Sequence, residues 1–266
     1  MTGRPIIALL TDFGAVDWFV GSMTAAILTR CPDGAVVDLC HSLQRGAVGQ
    51  AAWVLQKTFR DFPPRTVFCA VIDPGVGTER RALAVAADQY FFVAPDNGLL
   101  TGVRRQSKDW HCRMITNPRW MQPRMSDTFH GRDLFAPAAG QIALMGRIDE
   151  AGAVVKDPRE IGLPGSTLAA DGSVEGTIIW FDRFGNAITT IERASGARGT
   201  SRRRKRRVVL GDLTIPRVSS TYADVARSEP VAYWGSLETL EIAVREDSAR
   251  ERFALEIGQI VRLSAG

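Results

Sequence analysis

Between Ile6 and Met145 the chain alternates short apolar runs with helix-length stretches, and that alternation most narrows its fold. IIALLT (6–11) reads as a strand ending at Asp12. WFVGSMTAAILTR (18–30) is helix-sized and closes at Cys31-Pro32, because the residue before a proline is biased to extended backbone. AVVDLC is a second strand. In AVGQAAWVLQKTF the residues Ala47, Ala51, Val54, Leu55 and Thr58 fall near one face of a helix. FPPRT breaks that helix before the strand VFCAVI. ALAVAA and YFFVA then read as two strands about an Asp88-Gln89 turn, and DLFAPAAGQIALM as a further helix with Pro137 early in it. Strands separated by helix-sized connections predict an α/β domain with a mainly parallel sheet.

Near residue 172 the texture changes. VEGTIIWF, AITTIE, RVVLG, LTIPRV, PVAYW, LETLEIAV and QIVRLSA follow at close spacing, punctuated by Gly, Asp, Asn and Ser. Short strands at that spacing predict a small antiparallel barrel or sandwich. Pro and Gly cluster in KDPREIGLPGSTLAADG (156–172), where helical periodicity stops. The expected division is an N-terminal α/β domain over 1–160, a linker over 161–172 and a C-terminal β domain over 173–266.

The 266 residues, 45% hydrophobic and 23% charged, suffice for a substantial core. No apolar run approaches the roughly 18 residues that span a bilayer, and MTGRPIIALLTDFG lacks the longer apolar region of a signal peptide. The expected location is therefore cytoplasmic. Cys31, Cys40, Cys69 and Cys112 show no metal-binding spacing, so reduced structural thiols are expected, with no metal and no cofactor. The net charge of +4 comes from SRRRKRR (201–207), without which the chain is near neutral. That run lacks interleaved aromatics. It reads as a solvated loop, with an accessory anion-binding patch as the alternative and nucleic acid as an unlikely partner.

Three predicted strands end in acids beside glycines: Asp12 in TDFG, Asp73 in DPGVG, and Asp96 with Asn97 in PDNG. Ligands of open α/β sheets bind at the carboxyl ends of the strands, and turn chemistry alone does not demand an acid each time. DPGVG is no phosphate cradle, lacking both GxxxxGK[ST] and GxGxxG. Seven residues on, Arg80 is near enough to fold back on Asp73 and hold it ionised; Arg81 is expected to be a surface residue. His130, in SDTFHGRDLFAP, enters a helix from a polar loop, His41 is a second candidate for the crevice, and His111 looks peripheral. In DRFGN, Asp182, Phe184 and Asn186 offer an acid, an aromatic and an amide within five residues, a set suited to an amine and a heteroaromatic base edge. GxSxG and HExxH are absent.

Together TDFG, DLCHSL, VIDPGVGTERRALAV, YFFVAPDNGLL, DTFHGRDLFAPAAG, DRFGNAITTI, TYADV and LEIAV resemble the S-adenosyl-L-methionine (SAM) hydroxide adenosyltransferases, relatives of the fluorinase and chlorinase enzymes, over essentially the whole chain. The resemblance implies an N-terminal α/β domain, a C-terminal β-barrel and a homotrimer with active sites at subunit interfaces. It implies hydrolysis of SAM to adenosine and L-methionine by attack of water at the ribose C5′. The family's Asp–Arg–His triad falls on Asp73, Arg80 and His130. Asp12 falls on the acid that binds the ribose hydroxyls, Asp182 on the acid at the methionine amine, and Asn186 on the amide at adenine. Ser236 falls on a serine at the methionine moiety, although the family's N-S-x-G is here G-S-L-E. The halogenases carry Tyr where this chain has Asp73, which would repel a halide. A SAM- or adenosine-binding module without turnover is the alternative.

Overall fold

The computed structural model describes residues 3–194 and 206–264, so residues 201–205 of the basic run lie outside it. The chain divides into two compact units, Met1–Leu163 and Pro164–Gly266.

The first unit is built on a six-stranded sheet of β1 (Ile6–Thr11), β2 (Ala35–Cys40), β3 (Val67–Val71), β4 (Ala82–Ala87), β5 (Tyr90–Pro95) and β6 (Trp110–Met114), in the order β2-β1-β3-β5-β4-β6. β2, β1, β3 and β5 run parallel, whereas β4 pairs antiparallel with β5 and β6. The sheet is therefore mixed, because the connection from β4 to β5 is a two-residue turn that only an antiparallel pair accepts. Asp88 takes that turn at φ 50°. β6 is an edge strand whose short, half-exposed pattern carries little strand signal, and the exposed His111 lies on it.

Residues alternate between the two faces of the buried strands. Ile7, Leu9, Val67, Cys69, Val71 and Val93 join one core with α1 (Phe19–Arg30) and α4 (Ala136–Met145). On the other face Phe68 stacks on Phe92, and Phe59, just past α2 (Val48–Thr58), meets Phe92 and Tyr90. Burying such rings contributes on the order of 1.5–3 kcal/mol each. A final helix, α3, spans Thr101–Gln106. No described helix is long and apolar enough to cross a membrane.

The second unit is a nine-stranded sheet. β7 (Thr167–Leu168) pairs with β8 (Val174–Phe181). The remaining order is β11 (Leu213–Ile215), β10 (Val208–Leu210), β15 (Ile260–Leu263), β8, β9 (Ala187–Glu192), β14 (Thr239–Val244), β13 (Pro230–Trp234) and β12 (Val218–Ser219). All neighbours are antiparallel except β12 and β13. β11 also packs against β13, so the sheet curls into a nearly closed barrel around Ile178, Ile191, Leu240, Ile242 and Val261.

Candidate active site

Asp12, Asp73 and Asn97 leave adjacent strands at the same edge. Thr11 pairs with Val71 and Cys69 with Val93 in the parallel ladders, so one or two further residues carry each chain into the loops beyond the carboxyl ends. Asn97 donates from Nδ2 to the carbonyl of Ile72 at 2.8 Å and accepts the Leu99 N–H at 3.2 Å. It thus tethers the residue immediately before Asp73. Asp12 Oδ2 accepts the Gly46 N–H at 2.7 Å.

From Asp73 the chain reverses, with the Val76 N–H on the Asp73 carbonyl and the Thr78 N–H on the Gly75 carbonyl. Gly77 sits at φ 79°, and a Cβ there would lie 2.7 Å from the carbonyl oxygen of Asp127. Only glycine lets this turn dock on the loop that leads to His130. The turn returns Arg80, whose Nε donates to both oxygens of Asp73 at 2.9 Å while Nη2 also binds Oδ2. The Asp73 side chain is 5% exposed and that of Arg80 11%, so the fork is shielded from water and its charge-assisted bonds are strong. The guanidinium lies 5.0 Å above the ring of Phe135.

The second hydrogen on Arg80 Nη2 goes to His130 Nδ1 at 2.8 Å. Arginine only donates, so Nδ1 must accept, and the neutral ring carries its proton on Nε2. His130 is held below its ordinary pKa first by burial and then by the positive charge of Arg80, against the carboxylates of Asp73, Asp127 and Asp133. It precedes a π-helical turn, Gly131–Phe135, that supplies Phe135 as well; such turns are frequent at functional sites. Asp133 secures this segment by accepting from the Ser126 N–H at 2.8 Å and from Arg132. Sequence reasoning missed Phe135 and Asp133, although both lie in the FHGRDLF stretch.

Asp96 differs from the other strand-end acids. Its Oδ2 accepts from Arg81 Nε at 2.6 Å and its Oδ1 from the Arg159 N–H at 2.7 Å, while Arg81 also holds Asp157. Both carboxylate oxygens thus tie the 157–159 segment to the end of β5, and Arg81 is half of that clasp. His41 likewise joins strand ends, with Nδ1 2.8 Å from Thr11 Oγ1 and Nε2 3.1 Å from Asp38.

In the second unit Asp182 closes the turn between β8 and β9. Its Oδ1 accepts the N–H groups of Phe184 and Asn186 at 2.8 and 2.9 Å, and its Oδ2 accepts Asn186 Nδ2 at 2.8 Å. Since a carboxylate only accepts, Asn186 is oriented with its amide nitrogen toward Asp182 and retains Oδ1 and one N–H for a ligand. Phe184, 73% exposed, and Asn186 line a cavity of about 670 Å³ together with Thr221, Tyr222, Ala223 and Val244–Asp247. Tyr222, inside the quoted TYADV stretch, is a wall residue that sequence reasoning passed over. Ser236 is exposed in the turn between β13 and β14, apart from those lining residues.

Comparison with known proteins gives two family matches in order: the SAM hydroxide adenosyltransferase N-terminal domain over residues 7–152 and its C-terminal domain over 176–262. A Thermus thermophilus protein named (R)-S-adenosyl-L-methionine hydrolase is 39% identical over 98% of this chain and 99% of its own. A fluorinase from Actinopolyspora mzabensis is 27% identical over 98% of this chain and 97% of its own. The crystal structure of a conserved protein from Thermotoga maritima superimposes with a TM-score of 0.90 at 30% identity, covering 97% of this chain and 99% of that one.

Proposed function

Because the chain belongs to the SAM hydroxide adenosyltransferase family, with both family domains present, we propose that it hydrolyses SAM to adenosine and L-methionine. The observation that carries this reading is the continuous Asp73–Arg80–His130 hydrogen-bond chain, buried at the strand ends. A sulfonium carbon is already activated by its positive leaving group, so the enzyme needs only to hold water in line with the C–S bond and take its proton.

In this reading those tasks divide between the residues of the triad. His130 has given its Nδ1 lone pair to Arg80 and its Nε2 carries hydrogen, so it has no lone pair with which to act as base. Its Nε2–H instead orients the water oxygen. Arg80 only donates, and its fork holds the Asp73 side chain in place, which leaves Asp73 as the acceptor. As the O–C5′ bond forms, the C5′–S bond breaks, its electron pair stays on sulfur as the methionine thioether, and one water proton passes to Asp73. The same carboxylate would repel a halide, and this favours water over the halogenase reaction.

Asp12 binds the ribose hydroxyls in this reading, Asp182 the methionine amine, and Ser236 the methionine moiety. The cavity walled by Asn186, Phe184 and Tyr222 takes adenine: Asn186 offers an acceptor and a donor to the base edge, and the rings offer stacking faces. Following the family resemblance, we extend the proposal to a homotrimer whose sites lie at subunit interfaces. The four free cysteines fit a reducing compartment, here the cytoplasm. The test is incubation of the purified protein with SAM and chromatography of the products. Equimolar adenosine and methionine are expected, and bound but unaltered SAM would mark a binding module instead.

A further inference from the structure

The C-terminal unit holds a buried acid that the reaction does not use. Glu241 lies on β14, whose six residues are all buried, directly opposite Tyr233 of β13. The Tyr233 hydroxyl donates to Glu241 Oε2 at 2.5 Å, and the Tyr222 hydroxyl lies 2.6 Å from that of Tyr233. Tyr233 has one hydroxyl hydrogen and donates it to Glu241 Oε2, so its oxygen accepts the hydrogen bond of Tyr222. The chain therefore runs from Tyr222 through Tyr233 to Glu241 and ends in the barrel.

Tyr222 is the member that reaches the cavity. It opens the one-turn helix Tyr222–Asp224 and is 43% exposed, with its ring centroid 4.5 Å from that of Tyr233 at 53°. A half-exposed ring on a single-turn segment is poorly fixed by packing alone, and the inward hydrogen bond supplies the missing restraint. Burial pushes both Tyr233 and Glu241 toward their neutral forms, with nearby Asp182 adding to the effect on Glu241. The carboxyl also occupies space that a side chain would need, because a Cβ on Gly235 would run into Glu241 Oε1. Gly235 is where this chain departs from the family's asparagine.

We propose that Glu241 and Tyr233 are positioning residues which lock the Tyr222 ring as one wall of the adenine cavity, so that substrate binding depends on them. This rests on the assignment of that cavity to the base of SAM. The experiment measures kcat and KM for SAM with the full-length wild type and the variants Tyr222→Phe, Tyr233→Phe and the double substitution, alongside thermal melts. Loss of the Tyr222–Tyr233 hydrogen bond, which both single variants remove, predicts a KM rise of about tenfold in each with kcat held. Because both act through one ring, the double variant should be no worse than either single. A KM unmoved in Tyr222→Phe and Tyr233→Phe, or effects that add, overturns the proposal. If Tyr233→Phe fails to fold, Tyr222→Phe decides, since it leaves the Tyr233–Glu241 bond intact. A wild type that forms no adenosine would instead defeat the functional assignment itself.

Discussion

Arg80 donates to His130 Nδ1 at 2.8 Å while its other edge forks onto Asp73, and that bond decides which ring nitrogen carries the proton. In the proposed reaction the histidine then donates toward the water and the aspartate accepts its proton.

Lysine in place of Arg80 keeps the charge but cannot span both partners. Arg80→Lys should lower adenosine formation by about 100-fold or more, the contribution of a positioned acid–base group, while calorimetry shows adenosine still bound. Near-normal turnover would mean that the fork is dispensable.

The lowered pKa of His130 sets the direction of a pH effect. The folded protein prefers the neutral ring, so the arrangement is intact above the ordinary value of about 6.5 and is lost as pH falls through the lower folded-state value. The kcat profile should be level near neutrality with its acid limb below about pH 6.5. His130→Gln offers Oε1 to Arg80 and an N–H to the water without titrating, so it should keep partial activity and lose that limb. A limb unchanged in His130→Gln would assign it to another group.

Arg81→Met tests the clasp. Removing the guanidinium leaves Asp96, 4% exposed, without its charged partner, at a cost of about 2–3 kcal/mol in urea unfolding. Turnover at saturating SAM should stay within about twofold of wild type, because the clasp touches no part of the triad. A large loss of kcat with stability intact would return Asp96 to the site.

Glu238 stands where the family pattern has glycine, and its backbone is left-handed at φ 56°. Its pair with Arg193, at 3.4 Å and largely exposed, is worth little. Glu238→Gly should therefore raise stability by about 0.5–1 kcal/mol, relief of strain outweighing the added freedom of the unfolded chain. A lower melting temperature would show that the ion pair matters more.

Much of this was legible in the residues. Strand–helix alternation marked the parallel strands, and the seven-residue spacing with its glycines anticipated the Asp73–Arg80 contact. The antiparallel edge of the sheet was less visible, because β6 is short and half-exposed. Asp96 shares the Asp-near-Gly signature of Asp73, yet its partners include Arg159, 63 residues away, and those of Arg81 include Asp157, 76 residues away. Local pattern cannot distinguish an acid paired within its own turn, as Asp73 is with Arg80, from one tied to a distant segment. The roles of Tyr222 and Glu241 were hidden for the same reason, since barrel pairing brings residues 222, 233 and 241 into one chain.

The central claim, that water attacks C5′ with Asp73 as proton acceptor, is tested most directly by turnover of SAM in oxygen-18 water. Mass spectrometry should find one heavy oxygen at the 5′ position of adenosine and none in methionine, with formation abolished in Asp73→Ala. Adenosine without the label, or label incorporation that survives Asp73→Ala, would contradict it.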